Sequence, residues 1–533
     1  MSLRTSSGFR CVARQFCCGK SYSSTVAEPL DVRTDWTLVW TNGSSLDIGL
    51  DPLLAGFTDL AERELAADIG RNVPILIDPD GRCDIRLSEF FRSPHFSRLS
   101  LSTRTSYASD IRMWLEYLAS RGKSWIDASS ADVDTYWMWR SRRDLNANAV
   151  SGSKINRELA AIMLLYRWGS HRTRAHVPFD PVEREFLTSP RSTGTKSSPV
   201  RSRNVVAERV KWVTPRTYRL WRSIGIEGYT LEGLRDPSFR GRNALRNRAM
   251  ADLLFSSGLR ITEGASLLTL ELPAKSPHAA GLNEAHLPAA IAKGCHPRMW
   301  YLFDDATSMV DSYIHTSRMA SMDRARRTGR YKDAARLMVT DIRIGSDTIK
   351  LKHSGRWRSH DDIEIADRLC LFTDGDNGPE PLWLWLSESG MPLPVAAWSD
   401  VMSDGNNRVD RAFQRARRTG HMDAKTRAPR LSPHSLRHSF ALYMLIALHH
   451  AIDTRAGHTP SGGYNEERYR MAWETVRDLL GHRHESTTRE RYLAPLNGVR
   501  LRSLIGESDM QRALSGLALL DPRVLDIGQT AHG

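Results

Sequence analysis

Apolar residues recur at helical spacing over much of this chain. Tyr107, Ile111, Trp114 and Leu118 fall on one face of a helix that Ser102 or Thr103 can cap. Ile155, Leu159, Ile162 and Tyr166 repeat the pattern. Together they predict a small helical bundle over residues 91–187. Residues 1–90 precede it as an arm or extension, in which 74–81 reads as a short strand ending in a turn. Residues 188–211 are rich in Ser, Thr, Pro and Gly and carry Arg191, Lys196, Arg201 and Arg203, so they read as a basic linker.

Beyond the linker the pattern becomes mixed. Residues 243–256 read as a buried helix, Gly258 as its break, and Arg260 as the start of the next helix with Thr262 as cap. Residues 338–344 and 348–352 alternate about Gly345 and predict a β-hairpin; 363–365 reads as a third strand. Residues 273–338 include a helix over 300–336 that ends in a basic run at 324–332. Residues 449–473 hold Gly457, Pro460, Gly462 and Gly463 and read as an inserted loop. Two apolar helical stretches, 499–505 and 513–520, follow. The expected fold is mainly α: a helical N-terminal domain, then an α+β domain over 212–505 with a small three-stranded antiparallel sheet, then a tail over 506–533.

Charge narrows the choice of partner. With 75 Lys and Arg against 61 Asp and Glu, the 533-residue chain carries net +14, which suits a polyanion. Residues 408–430 hold eight of those cations among polar neighbours, a density suited to a phosphate backbone. The six cysteines form no C-x-x-C pair, so neither a zinc ribbon nor a disulfide framework is predicted, and a reducing compartment fits. The apolar run 441–448 is far too short to span a bilayer. Residues 1–27 contain Arg4, Arg10, Arg14 and Lys20 but no acid; without a clear apolar face they read as a basic arm rather than a transit peptide. The Gly-rich signatures of nucleotide-driven enzymes and of α/β-hydrolases are missing.

The densest chemistry lies between Ser432 and Tyr492. Ser432 and Pro433 read as N-cap and first residue of a helix, which puts His434 and Arg437 on one face. Leu480-Gly481-His482, Thr487-Thr488 and Tyr492 follow. An imidazole and a permanently charged fork beside a phenol suit attack of the phenol oxygen on a phosphodiester. These segments, with residues 253–263 around Gly258-Leu259-Arg260, resemble the tyrosine recombinase (phage integrase) family in content and order.

The resemblance implies a core-binding, SAM-like DNA-binding domain at 91–187 and a catalytic domain at 212–505, with 273–338 and 449–473 as insertions. It implies a site-specific recombinase that cleaves and rejoins DNA through a 3′-phosphotyrosine, serving the integration or excision of a mobile element. Arg260 and Arg437 would hold the phosphate oxygens. Tyr492 would be the nucleophile, His434 its base, and His482 a hydrogen-bond donor to phosphate. Lys352 at the end of the second predicted strand, or Lys350 two residues earlier, would protonate the leaving 5′ oxygen. Lys154 and Arg157 would suit phosphate contacts. No cofactor and no metal are expected; His482-Arg-His484 lacks a carboxylate or cysteine at ligand spacing. The expected partner is double-stranded DNA, bound by a homotetramer on paired sites, with accessory recombination factors possible and no membrane. The expected compartment is the bacterial cytoplasm or nucleoid. Two other readings use the same residues: a type IB topoisomerase or hairpin-end resolvase, and a DNA-binding accessory protein whose active site has decayed.

Overall fold

The computed structural model describes residues 35–41, 72–172, 212–274, 281–332, 336–345, 348–455, 466–484, 488–489 and 524–526, with a few single positions besides. The chain divides into two compact units, residues 1–206 and 207–533.

In the first unit the strands Thr37–Trp40 and Pro74–Ile77 pair antiparallel. They lie beside a bundle built from helices Ile85–Arg92, Leu101–Ala119, Ser130–Ser141 and Gly152–Arg172. The predicted faces are the buried ones: Ile111, Trp114, Leu118, Ile155, Leu159, Ile162 and Tyr166 all lie in one core. The first long helix starts slightly earlier than expected. Ser100, not Ser102 or Thr103, is its N-cap, and its hydroxyl accepts from the Thr103 N–H. The fully buried Asp110 carboxylate takes up both Lys154 and Arg157, with Arg157 Nε 2.8 Å away. Next to it Glu158 binds Arg140 at 2.6 Å and the Tyr136 hydroxyl at 2.9 Å. The two cations expected to reach toward phosphate therefore have an internal carboxylate partner, because a buried carboxylate needs compensation.

The second unit is organised around helix Ala244–Ser257, whose Met250, Leu253 and Leu254 are buried. Hairpin Leu282–Leu287/Arg298–Phe303 packs on it. A helical segment follows, from Asp304–Tyr313 through a π turn to Met319–Arg327. The stretch read as an insertion thus contributes Leu287, Trp300, Leu302, Val310 and Tyr313 to the main core. Trp300 lies in a strand rather than in the predicted helix.

The sheet departs from the expected three antiparallel strands. It has five, in the spatial order Gly378–Pro381, Leu371–Gly375, Leu337–Ile344, Ile349–His353, Arg356–Ser359. Leu337–Ile344 pairs parallel with Leu371–Gly375. Residues 363–365 are not a strand: Ile365 opens the short helix Ile365–Arg368. The third antiparallel strand comes earlier because Ser354 and Gly355 both take positive φ (49° and 75°), closing a two-residue turn at once. Among the described residues no helix is long and apolar enough to cross a membrane.

Helix Pro433–Arg455 begins where predicted. The Ser435 N–H donates to the Ser432 hydroxyl at 3.1 Å, and the Ser432 N–H donates back to the Ser435 hydroxyl at 2.8 Å, a reciprocal cap. It continues through 449–455, so the first turns of the expected loop are helical, and Glu466–Leu480 is helical again; 456–465 lies outside the described residues. The stretches 499–505 and 513–520 also lie outside them.

Candidate active site

Three turns meet around the Glu263 carboxylate and the arginines that reach it. The first is the end of helix Ala244–Ser257, where Gly258 caps the helix at φ 65°. A Cβ there would come 2.2 Å from Phe440 Cδ1, so the position admits only glycine without rearrangement. The left-handed residue turns the chain so that Arg260 becomes the N-cap of helix Ile261–Ala265, the place expected of Thr262. Glu263, three residues on, accepts the Arg260 N–H at 2.8 Å and the Arg260 guanidinium at 2.8 Å.

The second turn is the first helical turn of Pro433–Arg455. Arg437 is 1% exposed. Its two terminal nitrogens donate to the carbonyls of Gly258 and Leu480, and it lies 3.9 Å from Glu263. The guanidinium is thus aimed by backbone from both neighbouring turns. The third turn is Gly481 at φ 59°, after helix Glu466–Leu480. It accepts from Arg260 at 3.5 Å and leads into His482, whose Nε2 is 3.4 Å from Arg437 and whose Nδ1 is 2.9 Å from the buried Thr488 hydroxyl. Arginine only donates, so His482 Nε2 is the acceptor here and Nδ1 carries the proton toward Thr488.

His434 contacts His438, Nε2 to Nε2 at 2.9 Å, and His438 sits edge-on to Trp212. Of the six residues expected from sequence, Arg260, Arg437 and His482 therefore form one contact network. His434 lies one turn from Arg437 on the same helix. Tyr492 lies outside the described residues. Lys352 stands at the end of strand Ile349–His353, opposite Asp341 and Trp357, and makes no described contact with Arg260, Arg437 or His482; Lys350, opposite Arg343 and Ser359, makes none either.

Two residues not singled out from sequence join the network. Arg298, at the start of the second hairpin strand, donates to Glu263 at 2.7 and 3.2 Å and to the Leu479 carbonyl at 3.3 Å. Lys293 stands in the hairpin's connecting loop, with its side chain exposed and its N–H donating to Glu263 at 3.4 Å. The sequence signal was Lys293-Gly294 between two alternating segments, hidden by the surrounding Pro, Gly and His. Gly294 and Cys295 both take positive φ, which makes the turn.

The electrostatics follow from this crowding. Burial works to raise the pKa of Glu263, but hydrogen bonds and charge from Arg298, and the charges of Arg437 and Arg260, hold it at about 2. Burial and the charges of Arg437, Arg260, Arg298 and Lys293 press His482 down to about 3. One buried anion thus neutralises part of a four-cation cluster, and the imidazole beside it is neutral at ordinary pH. What remains is a net positive, partly open site, which suits a phosphate.

Residues 96–173 match the phage integrase N-terminal SAM-like domain family. The chain is 24% identical over 223 residues to a tyrosine recombinase XerD of Ralstonia nicotianae, covering 42% of this chain and 58% of that protein. It therefore spans less than two thirds of the length of that curated relative. Solved structures to which the chain is similar include the XerH site-specific recombinase bound to a palindromic difH substrate, at 12% identity and TM-score 0.40, covering 79% of this chain and 85% of that one. Another is the Tn1549 transposon integrase in complex with transposon right end DNA, at 12% identity and TM-score 0.38, covering 76% and 93%.

Proposed function

We propose, with membership of the tyrosine recombinase family as the premise, that this chain is a site-specific recombinase that breaks and rejoins double-stranded DNA through a 3′-phosphotyrosine at Tyr492. The observation that carries the reading is the cluster of Arg260, Arg437, His482 and Lys293 around the single carboxylate of Glu263. A scissile phosphate would enter as the missing anion. Arg260 and Arg437 would hold its non-bridging oxygens and bind more strongly as charge builds in the pentavalent transition state. Neutral His482 would donate from Nε2 after a tautomer change. Thr488 permits that change, because its hydroxyl can donate to Nδ1 as readily as accept from it. His434 would take the phenol proton, held in place by His438.

The proton for the departing 5′ oxygen is assigned to Lys293 in place of Lys352. Its loop is tied to Glu263, and its charge reaches His482. The covalent phosphotyrosine would conserve the phosphodiester energy, so rejoining would need no nucleotide. Action on paired sites as a tetramer, in the service of a mobile element, belongs to the same proposal.

The deciding experiment uses Tyr492→Phe on a nicked substrate that traps the covalent intermediate. The expected result is DNA binding equal to wild type with no protein–DNA adduct. An adduct formed by the Phe variant would remove Tyr492 from the mechanism; an absent adduct in the wild-type protein would remove the enzyme.

A further inference from the structure

We propose that His286, His360 and Asp361 form a zinc site that fastens the Lys293 hairpin to the segment following the edge strand Arg356–Ser359. One ligand atom from each lies within 4.8 Å of the others. His286 is on the first hairpin strand, Leu282–Leu287; His360 and Asp361 follow the edge strand Arg356–Ser359.

The ring nitrogens are the reason to look here. His360 is 1% exposed, and its Nε2 has no hydrogen-bond partner. His286 Nδ1 is likewise buried and without a partner. A buried polar atom left without a partner is unfavourable, and two of them in one cluster ask for a ligand. The other nitrogen of His360, Nδ1, lies 3.1 Å from Glu271, itself fully buried and bound twice by Arg368 at 2.8 and 2.9 Å. A carboxylate behind an imidazole fixes its tautomer so that Nε2 presents a lone pair, the usual support of a metal-binding histidine. Asp361 is held in the same way: Oδ1 accepts the Ala289 N–H at 2.8 Å, and Oδ2 lies 3.7 Å from His360 Nε2.

Two imidazoles and a carboxylate suit zinc, with water in the fourth place. Bonds of about 2.0–2.1 Å in a tetrahedron set ligand atoms about 3.3 Å apart, so small side-chain movements would close the set. Ala289, next to the first hairpin strand, is already on Asp361, so an ion would brace the base of the loop that carries Lys293.

The test is zinc titration of the full chain after treatment with EDTA, read against a chromophoric chelator, with Mg2+ present throughout. Wild type should bind one zinc more than His286→Gln and one more than Asp361→Asn, which keeps an acceptor for Ala289. Zinc should also raise the unfolding temperature of wild type and leave that of both variants unmoved. Equal stoichiometry in all three proteins overturns the site. So does loss of the zinc in His434→Ala instead, which would put it at the His434–His438 pair, or its displacement by Mg2+, which imidazole ligands do not favour.

Discussion

Lys293 and His482 each owe their proposed roles to neighbours rather than to their own type. The Lys293 N–H reaches Glu263 beside three arginines and its charge reaches His482, while Lys352 stands in a strand of the five-stranded sheet. If Lys293 is the general acid, Lys293→Ala slows cleavage by about 10²–10⁴-fold. A substrate with sulfur at the 5′ leaving position needs no proton, so it should restore cleavage to Lys293→Ala and not to Arg437→Ala. Rescue of Lys352→Ala or Lys350→Ala instead would return the role to the sheet. His482 offers a test without substrate. Its pKa falls from 6.5 to about 3 on folding, so between those values the unfolded chain holds more protons than the folded one. Its contribution to stability is present above pH 6.5 and is lost as pH falls toward 3. Glu263, depressed to about 2 from 4.5, adds its own loss only below about pH 4.5. Between pH 6.5 and 4.5, urea unfolding of wild type should therefore weaken with acid more steeply than that of His482→Asn. Parallel slopes would mean that His482 is not held neutral by the cluster.

At the level of elements, the site is a meeting of turns. Helix Ala244–Ser257 stops at Gly258, helix Pro433–Arg455 supplies Arg437, and helix Glu466–Leu480 stops at Gly481. Arg437 binds the carbonyls exposed by both stops, so the helix ends are satisfied and the arginine aimed by the same contacts. Gly258→Ala forces a side chain into a left-handed position and against Phe440. The expected cost is about 1–3 kcal/mol in stability. Because Arg260 and the Gly258 carbonyl move together, cleavage should fall by more than DNA binding does. Equal losses in both would mean that the turn serves only the fold.

For the whole molecule, net +14 on 533 residues predicts that affinity for DNA rests mainly on phosphate contacts. Plotted as log K against log salt, binding should fall with a slope near −0.9 for each phosphate neutralised, so several contacts give a steep line. A nearly flat line would contradict phosphate contacts as the main source of affinity. Helix Ala397–Arg418 shows how such a segment is built: Val409, Phe413 and Ala416 are buried, while Arg411 and Arg415 stay on the other faces. In the first unit Lys154 and Arg157 already share Asp110, so their loss should disturb the bundle as well as any contact with phosphate.

Local rules were enough for much of this. The faces of helices Leu101–Ala119 and Gly152–Arg172, the Ser432 cap and the Gly258 stop depend on residues three or four apart, so they can be read in the sequence. Arg260, Arg437 and His482 were also legible, because each belongs to a short motif of fixed chemistry. The rest depended on pairing across long separations. Leu282–Leu287 finds Arg298–Phe303 across a loop of Pro, Gly and His, and parallel pairing brings Leu371–Gly375 beside Leu337–Ile344. The turn of the first is masked by its Pro, Gly and His neighbours and the second has no local signature, so Lys293 and Arg298 were not singled out and residues 363–365 were read as a strand. Glu263 lies three residues from Arg260 in the sequence; only folding brought Arg298, Arg437 and the Lys293 N–H to the same carboxylate. Sequence supplied the chemical groups. Tertiary structure decided which groups stand together, because the charge balance of a buried anion is settled by everything that reaches it.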